Sequence, residues 1–173
     1  MKKYLAIFVF FLFTGLAANA QTADKITWLS WDEAALKMEK APKKLLVDVY
    51  TDWCGWCKRM DATTMVDPEV IKLVNQYFYA VKLDGEGKKD ILFKGRTFKF
   101  VAQGTRGYHE LPAELMGGKM SYPTIVYLNE KFEIIQAVPG YQTAVDIQPI
   151  LAYFGSNAFT TKTWDDFKAG YGK

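Results

Sequence analysis

The feature that most constrains this chain is an apolar run that ends in two cysteines. Lys44 to Thr51 carries Leu45, Leu46, Val47, Val49 and Tyr50 around a single acid, Asp48, and Cys54-Gly55-Trp56-Cys57 follows at once. A run this short and this apolar reads as a buried strand. The cysteines then stand at a strand-to-helix junction, with their helix continuing through Lys58-Arg59-Met60 to about Thr64. Asp67-Pro68-Glu69 restarts a helix, with Asp67 as N-cap and Pro68 at the first helical position. Val70, Ile71, Val74 and Tyr77 supply its apolar face, Phe78 to Leu83 is the next strand, and Asp84-Gly85-Glu86-Gly87 breaks it. Strand, helix, strand demands a parallel pair joined by a right-handed crossover.

The flanks extend this unit. Ser30-Trp31-Asp32-Glu33 is a capping box that opens a helix to about Lys40, and Pro42 ends it. Pro123 to Leu128 is a clear strand, Asn129-Glu130-Lys131 a turn, and Phe132 to Val138 a second strand ended by Gly140. Thr143 opens a helix to about Phe154, with a kink or break expected at Pro149. Thr163-Trp164-Asp165-Asp166 caps a last short helix. Between Lys88 and Met120 the pattern is weaker: residues 93–100 alternate loosely, as a short hairpin would, and 109–116 look helical. The expected class is α/β, a central mixed sheet flanked by helices on both faces.

A length of 173 residues fits one domain. Lys2 and Lys3, the apolar run Leu5 to Leu16 and the small residues of Ala18-Asn19-Ala20 have the pattern of a secretory signal peptide over residues 1–20. An uncleaved anchor is the alternative. The expected domain is then 21–173, working in the periplasm. Without Lys2 and Lys3, 20 basic residues face 19 acidic ones, a net charge of +1. That balance offers no basic excess for nucleic acid or an anionic membrane. Hydrophobic residues make up 50% of the chain, enough for a substantial core, and no internal repeat points to a solenoid.

The two cysteines are the only ones in the chain, and three readings are open. As a structural staple they would close a tiny loop and gain little from loop entropy. As half a zinc site they lack partners, since zinc wants four ligands and His109 is the one histidine. As a redox dithiol they fit well. A sulfur at the start of a helix meets unpaired N–H groups and the positive end of the dipole, which favour the thiolate. The second sulfur lies one turn further in, placed to attack a mixed disulfide.

The stretch Leu46-Val47-Asp48-Val49-Tyr50-Thr51-Asp52-Trp53-Cys54-Gly55-Trp56-Cys57-Lys58 resembles the active-site segment of thioredoxins. The acid six residues before the first cysteine, the Trp before it and the Lys after the second all correspond. Ser121-Tyr122-Pro123-Thr124 resembles the loop that carries the family's cis-proline, and Gly140 its glycine near the same groove. Asp67-Pro68-Glu69-Val70 and Val81-Lys82-Leu83-Asp84 are similar to exported bacterial thioredoxin-related proteins. The resemblance implies a thioredoxin-like fold over residues 30–155, with an insert at about 88–120. It makes Cys54 the nucleophile, Cys57 the resolving thiol and Asp48 the buried acid that takes the Cys57 proton. Trp53, Gly55, Trp56, Tyr122, Pro123 and Gly140 would form the substrate-binding surface, with Pro123 cis. Lys82 would stand near Asp48, with its register open.

Two departures matter. Gly55-Trp56 replaces the Gly-Pro of thioredoxins, and it also lacks the His that strongly oxidising relatives use to stabilise the thiolate. A reducing role is therefore expected, because stabilised thiolates raise the potential. The insert brings Arg96, Arg106, Tyr108 and His109, and reads equally as a partner surface or as an added structural hairpin. The expected protein is a monomeric, exported thiol–disulfide oxidoreductase that reduces protein disulfides. It needs no cofactor or metal, and a membrane thiol relay would recharge it. An oxidase or isomerase, and a low-turnover peptide-binding or chaperone-like module, are the alternatives.

Overall fold

The computed structural model describes residues 24–172, so the expected signal peptide lies outside the described residues. Five strands form the central sheet. They are β1 (Trp28–Leu29), β2 (Lys44–Tyr50), β3 (Phe78–Asp84), β8 (Thr124–Leu128) and β9 (Ile134–Pro139). Their order across the sheet is β1-β3-β2-β8-β9. The β1–β3 and β3–β2 pairs are parallel, while β2–β8 and β8–β9 are antiparallel. This is the expected mixed sheet, with β2 at its centre. The two-residue β1 is too short for any periodicity to announce it.

Local signals explain the helices. In α1 (Trp31–Lys40), Ser30 and Glu33 complete both halves of the capping box. At α3 (Pro68–Tyr77), Asp67 accepts from the N–H groups of Glu69 and Val70, each at 3.0 Å. Thr143 caps α5 (Ala144–Gly155) in the same way, and Thr163 caps α6 (Trp164–Gly170). The expected break at Pro149 does not occur, and α5 runs through it as one helix. Its ring deprives the Val145 carbonyl of a donor, and Val145 is on the exposed side, where water can replace that donor.

Side chains of β2 alternate between two cores. Leu45, Val47 and Val49 join Trp31, Ala34 and Met38 of α1 on one face. Leu46 joins Met60, residues of α3, and Ile147 and Leu151 of α5 on the other. Each such buried aliphatic or aromatic side chain stabilises the fold by about 1.5–3 kcal/mol. The second face is the one that carries Asp48.

The insert holds two hairpins and a helix. The expected hairpin over 93–100 is found slightly earlier, pairing β4 (Ile91–Phe93) with β5 (Arg96–Phe98) around Lys94-Gly95. Both turn residues have positive φ, as a two-residue hairpin turn demands. A second, unforeseen hairpin pairs β6 (Phe100–Gln103) with β7 (Arg106–His109). Its strands alternate too weakly to be read, and the one local signal is the Gly104-Thr105 turn. The expected helix is α4 (Glu110–Leu115). Ile91, Phe98, Leu111, Leu115 and Met116 pack into the α1-side core, so much of the insert is covering for that face.

Candidate active site

The helix α2 (Gly55–Thr63) begins with Cys54 as its N-cap. The Cys57 N–H donates to the Cys54 Sγ at 3.0 Å, so a sulfur does the capping that Ser or Asp does elsewhere in this chain. The two cysteines are joined as a disulfide. Cys54 is 4% exposed and Cys57 2%, so both sulfurs are buried in the oxidised pair. When the pair is reduced, the same N–H and the helix dipole favour a thiolate on Cys54.

The rim of this site is aromatic. Trp53 is 52% exposed and Trp56 57%, unusual for large apolar residues beside a buried disulfide. Trp53 meets Tyr122 edge-on at 5.8 Å between ring centres, and Trp56 lies against Tyr141 at 5.3 Å. The Tyr122–Pro123 peptide bond is cis, and the Pro123 carbonyl accepts from the Gly140 N–H at 2.8 Å. Gly140 sits at φ +94°, a conformation in which a side chain would be strained. The Tyr122 ring lies so close to Gly85 that a Cβ there would collide with it. Burial, with the charges of Glu86 and Asp84, pushes the Tyr122 phenol up to about 12.

Two arginines flank the tryptophans. Arg106, beside the tip of the β6–β7 hairpin, places its guanidinium 4.8 Å from the Trp53 ring centre. Arg59 of α2 lies 5.6 Å from Trp56 and 6.0 Å from Tyr141. No motif marks Arg59 or Tyr141 as part of the site, and the only hint is that Arg59 falls two positions beyond Cys57. For Arg106 the sequence gives the insert but not its place over Trp53.

A buried acid of β2 is linked to the cysteine helix through Lys82, which also binds Asp61 of α2. Asp48 is fully buried, and its Oδ2 accepts from Lys82 Nζ at 2.6 Å. The Asp48 Oδ1 has no hydrogen-bond partner among the described residues. Burial raises the Asp48 pKa, and the attraction of Lys82 only partly offsets it. For Lys82, burial acts to lower the pKa, but the Asp48 charge and the hydrogen bonds to Asp48 and Asp61 outweigh it and leave it raised. The register settles why these two meet: Asp48 on β2 lies opposite Lys82 on β3. Lys82 also reaches Asp61 at 2.5 Å. Asp61 is an addition to the expected site. Its signal is its spacing, one helical turn after Cys57, where an i,i+4 neighbour shares its face.

His109 is buried and caps α4, its Nδ1 accepting from the Leu111 N–H at 3.2 Å. Its Nε2 faces the Lys89 carbonyl at 3.1 Å and so must be the donor. The two contacts require the neutral Nε2–H tautomer and occupy both ring nitrogens. That is a structural cap, not an acid–base group beside the sulfurs.

Among the described residues, no group of three or more His, Cys, Asp or Glu is arranged to hold a metal ion, and no helix is long and apolar enough to cross a membrane. A groove of about 760 Å³ opens between β9 and the C-terminal helices, lined by Ile134, Val138, Tyr153, Phe159 and Trp164. It shares no residue with the rim.

Comparison with known proteins places this geometry. Residues 17–136 match the family described as Thioredox_DsbH, protein of unknown function, DUF255. Spermatogenesis-associated protein 20 of Homo sapiens is 28% identical over 67 residues, which are 38% of this chain and only 8% of that protein; the Mus musculus protein matches equally. Among solved structures, a DsbH oxidoreductase superposes with a TM-score of 0.55 at 15% identity, covering 78% of this chain and 88% of that one. A thioredoxin from Thermus thermophilus gives 0.56 at 16% identity, covering 78% and 93%. A putative disulphide-isomerase from Bacteroides thetaiotaomicron gives 0.55 at 24% identity, covering 83% of this chain and all of that one. These likenesses establish a thioredoxin-like fold.

Proposed function

The chain belongs to the Thioredox_DsbH family, within the thioredoxin-like superfamily, and on that footing we propose that it reduces protein disulfides outside the cytoplasm. The observation that carries this reading is the placement of the cysteines. Cys54 caps α2 and is bonded to Cys57 between two exposed tryptophans and the cis-proline loop. The names of the DsbH oxidoreductase and the putative disulphide-isomerase support a redox role.

In the reduced protein the Cys54 thiolate attacks a substrate disulfide. A mixed disulfide forms, the substrate S–S bond breaks, and the leaving thiolate takes a proton. Cys57 then loses its proton, and Asp48 is the acceptor, because its buried Oδ1 has no hydrogen-bond partner among the described residues and burial raises its affinity for a proton. The Cys57 thiolate attacks the Cys54 sulfur, the mixed disulfide breaks, the second substrate sulfur departs as a thiolate that takes up a proton, and the pair ends as the disulfide seen here. Two electrons have left the protein, so a thiol relay in the membrane must return them. The cis-proline loop lends the Tyr122 backbone to an extended substrate strand. Residues 1–20 direct the domain of 21–173 to the periplasm, where it acts as a monomer.

The redox potential of the isolated protein tests the direction. A value well below that of strong oxidants is expected, whereas about −120 mV would make it an oxidase instead.

A further inference from the structure

We propose that Arg106 and Arg59 read acidic residues beside the substrate cysteine, so that the favoured substrates are disulfides in extended segments with Asp or Glu flanking the bond. This rests on the disulfide-reduction reading above and names its substrate class.

The first observation is that the insert belongs to the rim. The Arg106 guanidinium lies over Trp53, and Trp53 meets Tyr122 edge-on. Tyr122 packs on Gly85, and the Gly85 carbonyl accepts from the His109 N–H at 2.7 Å. His109 ends the strand that Arg106 begins. These contacts close a ring that runs from the cis-proline loop through the insert and back to the residue before Cys54. Gly107 tightens the hairpin inside this ring, because the Phe100 ring and the Val101 carbonyl occupy the space a Cβ would need. Arg106 is therefore held by packing at both ends of its hairpin.

The second observation is charge. Arg59 and Arg106 lie over the rings of the two tryptophans that border the disulfide, yet neither pairs with a carboxylate among the described residues. Arg96, from the same insert, pairs with both Glu110 and Glu114 and is used up structurally. Lys58 adds a third exposed cation beside Cys57. Three carboxylates border the rim, Asp52 beside Trp53 and Asp84 and Glu86 near the Tyr122 phenol, and among the described residues none of them is ion-paired with either guanidinium. A guanidinium held over an aromatic ring without a carboxylate partner can still offer N–H donors to a carboxylate, two-pronged where the geometry allows. An extended segment threaded past Cys54 and the Tyr122 backbone would bring its flanking side chains alongside these two edges.

The test uses the reduced protein and two disulfide-linked peptides, identical except for Glu or Lys on both sides of the cysteine. Rates are divided by those of a small uncharged thiol with the same peptides, which removes their intrinsic difference in reactivity. The Glu peptide should react about tenfold faster at low salt, as expected for electrostatic steering into a charged site. The preference should shrink as salt rises to about 1 M, where charges more than ~3 Å apart are screened. Arg106→Glu should reverse the preference towards the Lys peptide, a gain that a misfolded variant cannot show. Equal normalised rates, a Lys preference in the unaltered protein, or a preference indifferent to Arg106→Glu would overturn the inference. If neither peptide is reduced at all, the reduction reading itself falls and takes this one with it.

Discussion

Two buried charges stand four residues apart on β2, and they are treated in opposite ways. Lys44 and Asp48 point to the same face of the sheet, separated by Leu46. Lys44 is satisfied twice, donating to Glu130 at 3.0 Å and to the Gly155 carbonyl at 3.3 Å. Burial would raise the Glu130 pKa, yet its backbone hydrogen bond and the Lys44 ammonium bring it below the usual carboxylate range. Asp48 has one partner, Lys82, which it shares with Asp61, and one oxygen left bare among the described residues. A buried charge whose bonding is complete ties elements together, as Lys44 ties β2 to α5. One whose bonding is incomplete and whose proton affinity is raised is a candidate for chemistry.

The cysteines give the largest expected effects and put the Asp48 side to its hardest test. Cys54→Ser should lower disulfide exchange at least about a thousandfold, because a hydroxyl at that position is a far weaker nucleophile than a thiolate. Cys57→Ser should leave the attack intact but block release, so mixed disulfides through Cys54 should accumulate on non-reducing gels. If none do, the chemical half of the comparison fails and a binding role gains.

Asp48→Asn should slow exchange roughly tenfold or more near neutral pH, within the range ascribed to a positioned general base. Its stability should change with a definite sign. Asp48 is raised in the folded state, so the folded chain holds a proton that the unfolded chain releases. Wild-type stability therefore falls as pH rises from the ordinary carboxylate range through the raised folded value. The Asn variant should gain melting temperature over wild type across that window and show no gain below it. Unchanged kinetics would remove Asp48 from the mechanism.

Lys44→Met should do the reverse, losing about 1–2 kcal/mol in urea unfolding while exchange stays within about twofold, since only hydrogen bonds to a half-exposed carboxylate and a carbonyl are lost. A matching loss of exchange would show that the two charges are coupled through β2. The smallest effect is expected for Asp61→Asn. Asp61 raises Asp48 and competes for Lys82, so its removal should move the pH midpoint of exchange slightly towards acid. Stability should stay within about 0.5 kcal/mol, because Asp61 is half-exposed and Lys82 keeps its bond to Asp48.

Elements with strong local chemistry are legible in the sequence. The Ser30 capping box, the Asp67-Pro68 helix start and the apolar run of β2 each carry their own signal within a few residues. Where the signal is weak or its outcome depends on surroundings, expectation and fold diverge. The β6–β7 hairpin is hidden because its alternation is poor. Local sterics predict a kink or a break at Pro149, and α5 runs through it unbroken, the carbonyl that loses its donor belonging to the exposed Val145. His109 gives no local hint of burial. Its place is set by a cap on α4 and by the Lys89 carbonyl, which lies well before it in the chain.

The order of elements, the helix that starts at Cys54 and the candidacy of Asp48 follow from residues close together in the chain, because helix caps, turns and strand alternation act over a few positions. The tertiary structure alone decided which charges share a site. Lys82 meets Asp48 only because β2 and β3 pair in a register that sets them opposite, and Asp61 joins because α2 lies over that same pair. Arg106 stands over Trp53 only because a hairpin from the insert folds back across the rim. Burial and distance set the strength of every charge, and neither exists until the chain is packed.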